Sequence, residues 1–328
     1  MSQMQFVTFD QPGPASSLYL AACRKPSVNP GEVLIKVAAA GVNRPDLLQR
    51  KGLYPAPEGA NPILGLEVAG VISAVGTGVR DWRVGQRVCA LTNGGGYAEY
   101  TTAPASQCFA LPEDISFIEG AALPEALFTV WSNVYDRGGL KPGQSLLVHG
   151  GTGSIGTIAI QMGRITGARV YATAGSESKC LICTQLGAVR GINYKEEDFV
   201  EVLRQATGRG VDIILDCIGG SYFQRNINAC APDGKIVCIA FQEGASAQVN
   251  FTRVMAKRLT ITGSTLRPRS LQEKAQIAQH LRHKIWPAVC AGRIAPLIAA
   301  TFPLAQVARA HETLEAGVEA GKVILTVS

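Results

Sequence analysis

The chain has 328 residues, 47% hydrophobic and 17% charged, with 36 glycines and 17 prolines, enough for about two domains and a sizeable core. This composition excludes disorder, collagen, a disulfide-stapled miniprotein and a long coiled coil. A 6% aromatic content and a net charge of +6 without a long basic run argue against a base-stacking nucleic-acid platform, so no nucleic-acid partner is expected.

No run of about 18 uncharged apolar residues occurs, so no membrane span is expected. Met1 to Asp10 lacks the basic-then-apolar pattern of a secretory signal. Nine scattered cysteines fit a reducing cytosol better than a disulfide framework, and a cytoplasmic location is expected.

The first third reads as β-rich. Val33–Val37, Glu67–Ile72 and Gln86–Leu91 are strand candidates, punctuated by Gly/Pro/Asn turns, which suggests a small barrel or sandwich. The pattern changes near residue 125. Strand candidates at 145–149, 169–173, 191–194, 211–215, 235–240 and 259–263 then alternate with helical segments at 155–167, 176–186, 198–207 and 222–230. Repeated strand–helix–strand order predicts βαβ crossovers and a parallel sheet. After Pro268 come amphipathic helices over 270–286 and 305–317 and a last strand over 322–326. This tail is too short for a third domain and is expected to pack back on the N-terminal part. The resulting division is 1–124 with 267–328, and 125–266.

The strongest chemical signal is Gly151-x-Gly153-x-x-Gly156, placed after an apolar strand and opening a helix. That context makes it a dinucleotide fingerprint. Gly151 is expected to permit the tight turn, Gly153 to let backbone approach a pyrophosphate, and Gly156 to let helix and strand pack closely. The helix N-terminus then offers N–H groups to phosphate. The second strand ends Ala174-Gly175-Ser176, without the carboxylate that would hold a ribose 2′-hydroxyl. Ser176 and Lys179 instead suit a 2′-phosphate, so NADPH is the expected cofactor. Ser176 is also placed to cap the following helix, and Glu177 is expected to face solvent.

Metal ligands are not clustered. His280 and His283 fit a solvated helix face, His149 a structural position, and Cys180 and Cys183 two small packing residues. No nucleophile elbow, P-loop or His-Glu-x-x-His occurs.

Further motifs lie along nearly the whole chain. They are Gly41-Val-Asn43-Arg-Pro-Asp46 through Tyr54-Pro55, Leu64-Gly-Leu-Glu67-Val-Ala-Gly70, Asn93-Gly-Gly-Gly-Tyr-Ala-Glu99, Gly191-Ile-Asn-Tyr194, Leu215-Asp-Cys217-Ile-Gly-Gly220 and Gly321-Lys322-Val-Ile-Leu325. With the glycine fingerprint they make the chain resemble the zinc-independent, zeta-crystallin-like quinone oxidoreductases of the medium-chain dehydrogenase/reductase superfamily, in particular the tumour-suppressor-inducible subgroup. The resemblance implies an α/β protein, a GroES-like β-rich catalytic domain interrupted by a Rossmann doubly wound parallel-sheet domain. Zinc-using relatives carry Cys and His where this chain has Asn43 and Leu66, so a metal-free enzyme is implied. By similarity, Thr129 lies beside the nicotinamide, and Ser154, Ile155 and Gly156 wrap the pyrophosphate. Ser176, Lys179 and Tyr194 surround the 2′-phosphate end, while Cys217, Ile218, Phe241 and Leu266 line the cofactor track. Lys322 is expected at the nicotinamide-side ribose or phosphate, and Asn43 and Tyr54 at the substrate end. A homodimer, joined through the edge of the parallel sheet, is also an expectation of the resemblance.

Without metal or nucleophile, the cofactor carries the chemistry. An electron-poor quinone suits hydride transfer, with Tyr54 or a water supplying the proton. The alternatives are an enone or enoyl-thioester reductase and a non-catalytic NADPH-binding protein.

Overall fold

The computed structural model describes residues 3–327. The chain divides into two units: everything described up to Phe128 together with everything from Arg267 onward, and Thr129–Leu266.

In the first unit, β1 (Gln3–Thr8) and β2 (Tyr19–Arg24) make an antiparallel hairpin. The main sheet uses β3 (Glu32–Val42), which runs into α1 (Arg44–Arg50), then β4 (Glu67–Val75), β5 (Arg87–Leu91), β6 (Tyr100–Pro104) and β7 (Cys108–Ala110). The expected strands are there, and β3 extends five residues beyond Val37, with Ala38-Ala-Ala-Gly41 allowing close approach of its neighbours. Register shifts in the β3–β4 pairing between Leu34 and Ile35 and between Val37 and Ala39 bend the sheet, as bulges do. Val33, Ile35, Val37, Val68, Ile72 and Val88 form the interior. Two short helices follow, α2 (Phe117–Gly120), capped by Ser116 with Glu119, and α3 (Pro124–Val130). The expected boundary at 124/125 and the observed division after Phe128 both fall at or within α3.

The second unit begins with a π-helical segment, Trp131–Arg137. It continues β8 (Ser145–Val148), α4 (Ser154–Ile165), β9 (Arg169–Ala174), α5 (Glu177–Gln185), β10 (Arg190–Asn193), α6 (Phe199–Thr207), β11 (Val211–Asp216), α7 (Tyr222–Ala229), β12 (Cys230–Cys238), α8 (Phe251–Lys257) and β13 (Thr260–Gly263). All pairings are parallel, in the order β10-β9-β8-β11-β12-β13. Leu146, Leu147, Ile213, Ile214 and Ile236 are fully buried or nearly so, the signature of strands covered on both faces. The order reverses between β8 and β11, and ligands bind beyond the strand carboxyl ends at such a switch point. One expectation needs correction: the strand expected over 235–240 also takes in Pro232-Asp233-Gly234. Asp233 takes φ +62 and the pairing shifts between Val211 and Ile213, so β12 kinks there and begins at Cys230.

From Arg267 the chain returns to the first unit as α9 (Leu271–Lys284), α10 (Trp286–Cys290), β14 (Ile298–Pro303), α11 (Val307–Ala316) and β15 (Lys322–Thr326). The helix expected over 270–286 stops at Ile285 because Pro287 sits in the first turn of α10, where it costs no hydrogen bond. β15 pairs antiparallel with β3, giving the sheet order β14-β15-β3-β4-β5-β7 with β6 also on β3. Among the described residues no helix is long and apolar enough to cross a membrane.

Candidate functional site

The fingerprint turn joins β8 to α4. Its positive φ belongs to Gly150 (φ 70), which corrects the role expected of Gly151. Gly151 is required for space: a Cβ there would lie 2.6 Å from Cys183 Sγ and 2.8 Å from Ala172 Cβ. At Gly156 a Cβ would lie 2.2 Å from the Gly150 carbonyl oxygen, so α4 can pack on the turn only without a side chain. Gly153 differs from both. Its Cβ would meet nothing closer than Gly150 O at 3.4 Å, and its backbone is extended rather than left-handed. Nothing within the protein demands glycine there; a ligand approaching the backbone would. Gly153 is also the N-cap of the twelve-residue α4 and supplies no side-chain cap. The first-turn N–H groups of Ser154, Ile155 and Gly156 have no intrahelical partner, and such a helix N-terminus suits an anion. The residues present fit a pyrophosphate.

At the next strand tip, Ser176 caps α5, accepting from Lys179 N at 3.3 Å and lying 2.9 Å from Ser178 Oγ. Glu177 is exposed and Lys179 half-buried. Tyr194, just after β10, covers Gly175: a Cβ on Gly175 would lie 2.8 Å from the phenol oxygen. Cys217, just after β11, reaches 3.4 Å from the His149 carbonyl, and a Cβ on Gly150 would sit 3.4 Å from its sulfur. Ile218 is half-buried, Phe241 is exposed against Gly219, and Leu266 is half-buried. Thr129 is buried, and its carbonyl accepts from Asn133 Nδ2 at 2.8 Å at the start of the π-helical segment. Gly151 to Gly156, Gly175 to Lys179, Tyr194, Cys217, Ile218 and Phe241 thus all follow carboxyl ends of parallel strands.

His149 is buried, bonded through Nδ1 to Thr173 Oγ1 at 3.0 Å and through Nε2 to Asn226 Oδ1 at 2.7 Å. Burial lowers its pKa, and it ties three elements together from beneath the turn. Asp216 has no place in the sequence-based site, yet its Oδ1 accepts from Ile218 N at 2.8 Å and Gly219 N at 3.2 Å. It fixes the loop that carries Cys217 and Ile218.

In the first unit the sequence-distant Asn43, Glu67 and Lys322 converge. Lys322 is 2% exposed, so it is not a solvated residue before an edge strand. Its ammonium pairs with Glu67 Oε1 and bonds Asn43 Oδ1. Asn43 Nδ2 donates to Glu67 Oε1 at 2.9 Å, and Glu67 Oε2 accepts from Glu125 N at 2.9 Å. Asn43 N donates to Asp46 Oδ2 at 2.8 Å, the cap of α1. Tyr54 is half-buried; burial raises its pKa against the opposing charge of Arg267. Among the described residues no three His, Cys, Asp or Glu side chains gather as metal ligands. Glu67 was missed as a site residue because its signal is a partnership over 24 and 255 positions, not a local motif.

Comparisons with known proteins agree with both halves. Residues 29–113 match the family described as alcohol dehydrogenase GroES-like domain, and residues 154–281 the one described as zinc-binding dehydrogenase. A quinone oxidoreductase of Rattus norvegicus is 32% identical over 303 residues, 92% of this chain and 90% of the relative. The solved structure of Escherichia coli quinone oxidoreductase complexed with NADPH superposes with a TM-score of 0.84 at 30% identity, covering 98% of this chain and 99% of that one. The CurK enoyl reductase superposes with a TM-score of 0.86 at 27% identity, covering 100% of each chain.

Proposed function

This chain belongs to the medium-chain dehydrogenase/reductase superfamily, and we propose that it works there as an NADPH-dependent, zinc-independent oxidoreductase that passes a hydride to a quinone. The observation that carries the reading is the β8–α4 turn, where α4 has no side-chain cap and a Cβ on its N-cap Gly153 would meet only ordinary contact within the protein. The strand tip without a carboxylate, followed by Ser176 and Lys179, supports the 2′-phosphorylated form. Similarity to quinone oxidoreductases supports the acceptor.

A bound reduced nicotinamide supplies the hydride. The chain's own residues then orient, exclude water and manage charge. Ser154, Ile155 and Gly156 hold the pyrophosphate, Lys179 and Ser176 the 2′-phosphate, with Tyr194 over the adenosine end. Thr129, Cys217, Ile218, Phe241 and Leu266 line the track. Asn43 cannot hold a loose proton, since both ends of its amide are engaged by Glu67 and Lys322. It keeps the Lys322 ammonium fixed where zinc-using relatives have metal ligands, and that cation favours negative charge on a conjugated oxygen. Lys322 so buried acts through its field more than by direct contact with a ribose or phosphate. Tyr54 carries its phenolic proton at neutral pH as any phenol does, and burial raises its pKa further. It passes that proton to the hydroquinone anion, which after hydride uptake needs one proton, and is reprotonated from solvent.

Likeness to an enoyl reductase favours one second reading, reduction of an enoyl thioester on the same scaffold. Parallel NADPH-oxidation assays with a soluble quinone and a 2-enoyl thioester, each repeated with NADH, test both. Faster turnover of the thioester would replace the quinone reading. Equal use of NADH would remove the 2′-phosphate assignment. The expected homodimer forms through β13, the last strand of the sheet, where Ile261 and, on α8, Phe251 and Met255 are exposed. Met255→Asp is expected to yield monomer in sedimentation.

A further inference from the structure

A cleft of about 530 Å³ opens in the second unit between α6, α7 and α8. Its wall includes Gly208, Gly210 and Ala229, which lie just before the first residues of β11 and β12. The proposed cofactor turn follows carboxyl ends of the same sheet, and the two sites share no residue. The walls of the cleft are cationic. Arg204 and Arg209 come from the end of α6 and the turn after it, Arg225 from α7, and Arg253 and Lys257 from α8. Only Asp198 and Glu201 oppose them among the lining residues.

The partners already in place leave a surplus of positive charge. Arg225 Nη2 bonds Asp198 Oδ1 at 3.0 Å, with its guanidinium 4.3 Å over the Phe199 ring. Arg204 pairs with Glu201, and Arg209 with Asp212. Lys257 Nζ donates to the carbonyls of Ile227, Asn228 and Cys230 at 3.2, 2.8 and 2.6 Å, which engages all three of its protons. Arg253 is different: among the described residues no group pairs with its guanidinium. α8 carries no acidic residue, and Arg253 stands one turn before Lys257, where like charges repel. Asn228 is oriented by hydrogen bonds. Asn250 N donates to Gln224 Oε1 at 2.6 Å, so it is the amide nitrogen of Gln224 that donates to Asn228 Oδ1, at 3.1 Å. Asn228, which lines the cleft, therefore has N–H donors left to offer.

We propose that this cleft binds a small polyphosphate, with Arg253 and the Asn228 amide as direct contacts and Arg204 and Arg225 completing the positive field. Phosphate oxygens only accept, which suits an unpartnered guanidinium beside a fixed N–H donor. A volume of this order holds a small molecule rather than a lone ion. The role is the same whichever acceptor the enzyme reduces.

Calorimetric titration at constant ionic strength tests this, with protein saturated in NADPH and without it. Inorganic tripolyphosphate and ADP are the two probes, which distinguish a bare phosphate chain from one borne on a nucleoside, and orthophosphate is the control. At least one probe should bind wild type at one site, more tightly than orthophosphate and undiminished by NADPH. Arg253→Gln should weaken that binding about tenfold or more, the effect of one charge-assisted bond. Asn228→Asp keeps the oxygen that accepts from Gln224 and should weaken it comparably, with melting temperatures confirming that both variants fold. Absence of binding by either probe, affinity no better than that of orthophosphate, loss of binding in NADPH, or affinity unchanged in Arg253→Gln would each overturn the proposal. If Asn228→Asp alone leaves affinity unchanged, Asn228 is removed as a contact.

Discussion

In the parallel-sheet unit the surface proposed to face the cofactor is made of what is missing. Gly151 and Gly156 have no room for a Cβ, and Gly153 leaves room that nothing in the protein fills. In the β-rich unit the corresponding region is made of what is buried: Lys322, Glu67, Asn43, Asp46, Tyr97, His311 and Arg50. The first strategy uses backbone dipoles and is local in sequence. The second uses charged side chains taken out of water, which is tolerable only because each finds partners contributed from far along the chain. A glycine turn should therefore fail by steric intrusion, and the charged cluster by loss of a partner.

Glu67→Leu should have the largest effect. It strands the Lys322 ammonium in the interior, and breaking a buried pair this way costs roughly 3–5 kcal/mol. Urea unfolding should show the loss, and Lys322→Met added to Glu67→Leu should recover much of it; no recovery would mean that the pair is not the cause. Tyr54→Phe should lower turnover at saturating substrate by about 100-fold if the phenol is the proton donor. An unchanged rate would leave water in that role. Gly156→Ala should cost about 1–3 kcal/mol of stability through overpacking against the Gly150 carbonyl and weaken both nucleotides together. Lys179→Ala should raise the Michaelis constant for NADPH about tenfold, the value of one charge-assisted bond, and leave that for NADH nearly unchanged.

The smallest effect is in acid. The folded state holds His311 near 3 against its ordinary 6.5, so stability from the neutral ring is present above 6.5 and is lost as pH falls toward 3. Asp46, raised from 3.8 to about 6, opposes this, because the folded state takes up a proton there before the unfolded chain does. The two act in opposite directions, so comparing variants isolates the imidazole: melting temperature should fall less steeply between pH 6.5 and pH 3 in His311→Leu than in wild type; equal slopes would separate His311 from acid unfolding.

The two strategies also explain what could be read before the structure. The parallel sheet and its glycine turn are written in consecutive residues, so periodicity and spacing expose them. Even so, the turn residue proved to be Gly150, since spacing alone does not distinguish a glycine needed for φ from one needed for room. The β1–β2 hairpin, α1, α8 and β14 were not anticipated. α1 follows directly on a strand and begins with Arg44-Pro45, which reads as a turn, and Ile298–Pro303 has no alternation that isolates it from its apolar surroundings. The buried cluster was legible only in part. Asn43 and Lys322 were reached through motif resemblance, whereas Arg50 and His311 meet across 261 positions and no local pattern singles out either.

The account depends most on Gly153. A methyl there meets only ordinary contact in the protein itself, at 3.4 Å from Gly150 O, yet stands where a pyrophosphate would approach. Calorimetric titration of NADPH into wild type and Gly153→Ala, with both melting temperatures in hand, separates the two. The account predicts a melting temperature nearly unchanged and NADPH affinity reduced at least about tenfold, the effect of about 1.4 kcal/mol. An undiminished affinity in a fully folded Gly153→Ala would contradict it.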